Sequence, residues 1–307
     1  MPASRIRYAC LATERTNPRS RALDRMTPRE IGALMNREDR RAVLAVGRVQ
    51  PQIAAAVEMI VTALRDGGHL IFVGAGTSGR LGVLEAAECP PTFGTSRRLV
   101  QAIIAGGRGA VFRSREGAED DAAAARRAVR ARVRRGDVVV GISASGVTPF
   151  VSAALTAARR RGAKTVLVAC NAEGALRSPR MIHVRIVPAT GAEVLAGSTR
   201  LKAGTATKLV LNTLTTASMT RLGRVYGNRM VDLQPRSAKL RARALRLVAE
   251  VAGVSHGRAR AALKASRGRV RVAIVVSRSG LNAAEALRAL GAAGGSIRVA
   301  LQKFRRK

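Results

Sequence analysis

The stretch Val73-Gly74-Ala75-Gly76-Thr77-Ser78-Gly79-Arg80 follows the apolar run His69-Leu70-Ile71-Phe72-Val73 and precedes a helical pattern over Leu81 to Glu88. A short apolar run that turns through glycines into a helix is the opening of a β-α-β unit. Glycine lets the backbone approach a ligand closely, and the free N–H groups of a helix start can hold an anion. Gly74, Gly76 and Gly79 match G-x-G-x-x-G, but a dinucleotide site also wants an acid near the end of the next strand. None occurs between Cys89 and Arg115, and the P-loop lysine is missing too. Thr77 and Ser78 supply hydroxyl donors instead, which suits a simple phosphate. A tight connection with no ligand is the plainer reading of one such turn alone.

Outward from this turn, further apolar runs occur at Leu99 to Ala105, Asp137 to Ile142, Lys164 to Ala169 and Met181 to Val187. Helical stretches at Ala118 to Val133 and Pro149 to Arg160 separate several of them. This alternation predicts a doubly wound α/β fold, a parallel sheet of about five strands with crossover helices. The third run ends in Ser143-Ala144-Ser145-Gly146-Val147-Thr148-Pro149, a second hydroxyl-rich turn at a second strand end. Two such turns on one sheet point to one phosphate-binding pocket.

Upstream, Ile31, Leu34, Met35, Val43, Val46, Ile53, Val57 and Ile60 recur at helical spacing from Thr27 to about Leu64, with Asp24 or Thr27 as the cap. A long helix is predicted from Lys202 to Leu222. Beyond Pro235 the apolar positions Leu245, Leu247, Val248, Val251, Ala262, Leu263, Val272, Ile274, Val275, Leu287 and Leu290, broken at Gly253, Gly268 and Gly280, predict a small helical domain. The expected division is therefore a helical segment over 1–58, an α/β domain with the phosphate-binding pocket over 59–223 and the small all-α domain over 236–303.

The chain has 307 residues, 47% of them apolar and 24% charged, in the range of globular proteins. Charge is the exception: Lys+Arg 55 against Asp+Glu 19 gives +36. The excess lies in the first 50 residues, in Arg126, Arg127, Arg130, Arg132, Arg134 and Arg135, and in the tail from Arg236. Aromatics are 2% of the chain and Trp is absent, so the stacking platforms of a dedicated nucleic-acid reader are missing. Arginine decorating a solvated surface accounts for the pattern, with nonspecific anion binding as its consequence. No run approaches the roughly 20 apolar residues of a membrane span, and the first residues lack a signal-peptide core. Cys10, Cys89 and Cys170 have no metal-ligand spacing. A reducing, cytoplasmic setting is expected, with no membrane partner.

Acids are few. Glu85 and Glu88 lie three apart on one helix face, and Glu88 leads into Cys89-Pro90-Pro91-Thr92-Phe93-Gly94, read as a rigid turn able to hold a carboxyl over the sheet edge. Glu116, Glu119, Asp120 and Asp121 open the next predicted helix, where they would also complement its dipole. Two carboxyls with separated pKa values are what acid/base chemistry needs. His69, His183 and His256 are scattered and read as structural or surface residues, and Cys89 as a small buried thiol.

Leu11 to Pro18 (LATERTNP), Phe72 to Gly94, Glu116 to Asp121 (EGAEDD) and Gly197 to Ala206 (GSTRLKAGTA) resemble the N-acetylmuramic acid 6-phosphate etherase family. The resemblance runs in order from about Leu11 to Leu301, and more distantly extends to the glucokinase regulatory protein. It implies a sugar isomerase (SIS) fold with a helical C-terminal domain like a ubiquitin-associated domain, and a homodimer. It implies cleavage of the lactyl ether of a sugar-phosphate substrate by elimination then hydration, with no metal or redox cofactor. Glu88 is then the acid for lactate departure and Glu119 the second acid/base residue. Thr77, Ser78, Ser145 and Thr148 would hold the phosphate, with Gly76 and Gly79 shaping the turn and Ser198 and Lys202 lining the site. Val147 and Phe150 depart from the family's usual Arg and Tyr, and Ala172-Glu173 from its usual Cys-Asn-Pro-Gly run, which bears on affinity more than on mechanism. A noncatalytic sugar-phosphate regulator and an aldose–ketose isomerase are the alternatives on the same fold.

Overall fold

The computed structural model describes residues 11–179, 181–233, 237–302 and 304. Cys10, Pro235 and Arg236 lie outside the described residues. By its internal contacts the chain forms two units, one running to Ala86 and resuming over Arg98–Thr215, the other made of Ala87–Arg97 and the residues from Thr216 on.

In the first unit, the predicted helical lead-in is two helices, α1 (Pro28–Gly47) and α2 (Gln50–Arg65), bent by 60° at the break. Pro51 explains the break, because it has no N–H to continue the ladder and is favoured in a first turn. Thr27, not Asp24, caps α1: its hydroxyl accepts from Glu30 N while the Glu30 carboxylate accepts from Thr27 N at 2.8 Å. The sheet contains β1 (Leu70–Gly74), β2 (Val100–Ile104), β3 (Val138–Ile142), β4 (Lys164–Val168) and β5 (Val184–Ile186). All pairs are parallel, in the order β2-β1-β3-β4-β5. Every residue of β1 and β3 is buried, which is why these strands read as continuous apolar runs.

Crossovers include α3 (Gly76–Phe93), α4 (Ala122–Arg132) and α5 (Pro149–Arg160), and α7 (Lys202–Arg221) follows the sheet. A short α6 (Ala172–Arg177), absent from the sequence reading, follows β4. On one face of the sheet Ile71, Val73, Val139 and Leu167 pack with Ala125 and Val129 of α4 and with Val151, Ala154, Leu155 and Ala158 of α5. Gly141 sets the approach of α5: a Cβ there would lie 2.7 Å from Leu155 Cδ1. No single helix among the described residues is long and apolar enough to cross a membrane.

The second unit holds a two-strand hairpin, β6 (Val225–Tyr226) and β7 (Arg229–Met230), which the sequence reading lacked, and five helices. These are α8 (Ala238–Ala252), α9 (His256–Ala265), α10 (Val270–Ser279), α11 (Ala283–Ala292) and α12 (Ile297–Gln302). Ser237, Ser255 and Asn282 cap α8, α9 and α11, and Gly253 and Gly280 close α8 and α10 in the left-handed region. Leu247, Val248, Val251, Ile274, Val275 and Leu290 form the core as expected, but Leu287 is 45% exposed. Its helix turns Ala286 and Leu290 inward, leaving Leu287 off the buried stripe.

Candidate functional site

Strands β1 and β3 are neighbours, with Gly74 level with Ile142. From β1 the chain crosses to β2 on one side, and from β3 to β4 on the other. Their carboxyl ends therefore flank the point where strand order reverses, the crevice in which open α/β sheets bind ligands. The glycines of the first loop are there for close packing. A Cβ on Gly79 would lie 2.6 Å from Ile104 Cγ1 and 2.7 Å from Gly74 O, and Gly76 has φ +52°. Thr77 and Ser78 are half-buried in the first turn of α3, among N–H groups that have no partner within the helix.

The second loop is organised by Ser143, which is buried. Its hydroxyl accepts from Gly146 N at 3.0 Å and lies 2.8 Å from Thr148 Oγ1 and 3.4 Å from Ser145 Oγ. Ser145 and Thr148 are held half-exposed at the start of α5. Gly174 of α6 presses on this loop so closely that a Cβ would sit 1.8 Å from Ser145 O.

A third segment reaches the first loop. A Cβ on Gly204 would lie 3.9 Å from the Thr77 methyl, so the first turn of α7 lies beside Thr77. Lys202, 2% exposed, does not offer a free ammonium: Nζ lies 2.6 Å from Glu38 Oε2. Glu38 also accepts from Asn17 Nδ2 at 2.9 Å, and Glu193 caps α7 by accepting from Lys202 N and Ala203 N at 3.0 and 2.9 Å. Burial pushes the Glu38 carboxyl up, but Lys202 and Asn17 more than offset it and hold it below the usual range. For Glu193 burial dominates and its carboxyl lies above that range.

Of the Glu85–Glu88 pair, Glu85 is the buried one, bound by Asn212 Nδ2 at 2.6 Å and by the Thr215 hydroxyl. Glu88, one turn on, is exposed. The Cys89–Gly94 turn expected after it is instead the last part of α3, which runs through Pro90 and Pro91 to Phe93. Burial of Cys89 and Phe93 anchors this end, Arg224 donates to Phe93 O at 3.1 Å, and Gly94 at φ +62° closes it by donating to Pro90 O. Glu119 is exposed in a 3-10 turn, Ala118–Asp120, that packs on α5. The helix itself opens only at Asp121, which accepts from Ala124 N at 2.7 Å. The sequence reading missed Ser143 as the organiser of its loop, and Glu38 and Glu193 altogether. Ser143 and Asn17 sat inside quoted motifs, whereas Glu38 and Glu193 had no spacing signal.

Residues 52–159 match the family model of the glucokinase regulatory protein N-terminal SIS domain, and residues 118–217 that of the SIS domain. Proteins named N-acetylmuramic acid 6-phosphate etherase align along almost the whole chain. That of Gloeobacter violaceus is 52% identical over 298 residues, covering 96% of each chain. The Geobacillus thermodenitrificans protein is 50% identical, covering 95% of this chain and 99% of its own, and the Synechocystis protein 48%, covering 95% of each. The chain belongs to the N-acetylmuramic acid 6-phosphate etherase family. Two of its departures from the pattern expected of an etherase of this family, Val147 and Phe150, are packing positions here, whereas Ala172 and Glu173 are exposed. Val147 and Phe150 are buried, at 8% and 2% exposure, so neither presents a polar group to the crevice. In the Cys170–Gly174 run, Asn171 caps α6 by accepting from Gly174 N at 2.9 Å, and Gly174, the residue in contact with the Ser145 backbone, is present.

Proposed function

We propose that this chain cleaves the lactyl ether of N-acetylmuramic acid 6-phosphate with water, giving N-acetylglucosamine 6-phosphate and D-lactate in the recycling of cell-wall amino sugars. The observation that carries the reading is the placement of two hydroxyl-rich loops, Thr77-Ser78 and Ser145–Thr148, on either side of the sheet's switch point. It stands in a chain whose relatives at about half identity and full length carry the etherase name. Thr77, Ser78, Ser145 and Thr148 hold the phosphate, and Gly76 and Gly79 shape the turn. Ser198 lines the crevice beside them, and Lys202, its ammonium engaged by Glu38, serves by fixing the start of α7.

The chemistry uses the open-chain aldehyde, whose carbon 2 proton is acidic. Glu119 as carboxylate removes that proton, and the electron pair forms the carbon 2–carbon 3 double bond as the carbon 3–oxygen bond breaks. Glu88 gives its proton to the departing lactate oxygen. Water then adds to carbon 3 of the unsaturated aldehyde and carbon 2 regains a proton, which balances the hydrolysis. Exposed carboxyls at both positions are open to a substrate. The protein is expected to act in the cytoplasm as a homodimer.

The test is D-lactate release from N-acetylmuramic acid 6-phosphate at moderate salt. Lactate appearing with N-acetylglucosamine 6-phosphate, and abolished in Glu88→Ala with the fold intact, is the expected result. A fully active Glu88→Ala overturns the assignment of the acid. Stabilisation by the sugar phosphate without lactate would make the chain a sugar-phosphate regulator instead.

A further inference from the structure

Away from the crevice, α4 and α5 enclose a concavity of about 370 Å³. Helix spacing puts Arg126 and Arg130 on one stripe of α4, and Ser152, Thr156 and Arg160 on one stripe of α5. The helices meet through Ala125, Ala154 and Ala158, small residues that bring the two stripes face to face. Arg161 closes one end, its Nε fixed on Val133 O at 2.7 Å. The lining contains no acid, and Ala153 and Ala157 complete it. Among the described residues Arg126, Arg130 and Arg160 have no ion pair, whereas neighbouring Arg127 has Asp121. Four guanidinium groups around one small cavity repel one another until an anion enters, and a guanidinium fork fits phosphate oxygens in pairs.

We propose that this groove is a binding site for a linear oligophosphate, three or more linked phosphates lying between the arginine stripes. A single phosphate would leave most of a cavity of about 370 Å³ unfilled. A nucleobase finds nothing to stack on, because no aromatic residue lines the cavity. Ser152, which lines the groove, donates to the oligophosphate, while the Thr156 hydroxyl hydrogen is already given to Ser152 O at 2.9 Å. The site lies outside the sugar-phosphate crevice and does not depend on the reading of that crevice.

The experiment is calorimetric titration of the full chain with inorganic tripolyphosphate at 150 mM salt. Three variants are compared with the parent: Arg130→Ala/Arg160→Ala, the charge-matched control Arg258→Ala/Arg260→Ala on exposed positions of α9, and the charge-neutral Ser152→Ala. The expected result is saturable binding weakened at least tenfold in the groove variant, severalfold in Ser152→Ala and less than twofold in the control. Absence of saturable binding, an equal loss in both double variants, or orthophosphate competing as well as tripolyphosphate would each overturn the site. ATP binding more tightly than tripolyphosphate would overturn the oligophosphate assignment.

Discussion

Replacing Lys202 with Met removes the ammonium from Glu38 while keeping an apolar stem of similar length. Glu38 is 1% exposed, and its remaining partners are Asn17 Nδ2 at 2.9 Å and two longer contacts, Arg41 at 3.5 Å and Arg19 at 3.8 Å. Removing one partner of a buried pair costs about 3–5 kcal/mol, and the surviving contacts place this site near the lower end, about 3 kcal/mol. For a unit of this size that lowers the melting temperature by about 6–12 °C at pH 7. The loss depends on pH. In the parent the Glu38 carboxyl is held below its unfolded value, so its contribution is present above the unfolded pKa and is lost as pH falls through the folded one. In Lys202→Met burial acts with less opposition, the folded pKa rises above the unfolded value, and the variant loses stability as pH rises through it. The gap between the two proteins must therefore be full at pH 7 and close toward pH 4. Scanning calorimetry at both pH values measures it, and Lys202→Met/Glu38→Gln should recover most of the loss at pH 7. A gap of the same size at both pH values, or no recovery in the double variant, refutes the argument.

Ser143→Ala removes the hydroxyl that accepts from Gly146 N, which keeps the Ser143 carbonyl as its acceptor, and frees Thr148, so stability should fall by about 0.5–1.5 kcal/mol and the thermal shift given by N-acetylglucosamine 6-phosphate should shrink at least as strongly. Gly174→Ala puts a methyl 1.8 Å from Ser145 O, and a backbone neighbour cannot swing away; calorimetry should show a loss of about 1–3 kcal/mol or more, with weakened sugar-phosphate binding. The Cys170 thiol is buried and pushed up to about 12, so a disulfide reagent at pH 8 should leave it unmodified until denaturant is added, as peptide mapping would show.

The sheet was legible because parallel central strands are buried on both faces, which leaves Leu70–Val73 and Val138–Val140 as uninterrupted apolar runs bounded by glycines and polar residues. The two loops were legible because glycines and hydroxyl residues cluster where a strand turns tightly into a helix at the sheet's edge. The course of α3 was not. Two successive prolines read locally as a stop, and the helix is held through them by Arg224, which bonds Phe93 O from 131 residues away. The carboxylates around Lys202 were hidden likewise, since Glu38 and Lys202 are 164 residues apart and a single isolated acid announces no partner.

The pairing of β1 with β3 has a kinetic consequence. Asp137 accepts from His69 N at 2.9 Å across 68 residues of chain, and this closure is what puts the Thr77 and Ser145 loops side by side. Joining segments so far apart carries a loop-closure cost that local helices do not, so the pairing that forms the crevice is slower than helix formation. A sugar phosphate cannot then act as a template for folding. It can only hold the finished sheet together, retarding unfolding while leaving the folding rate untouched.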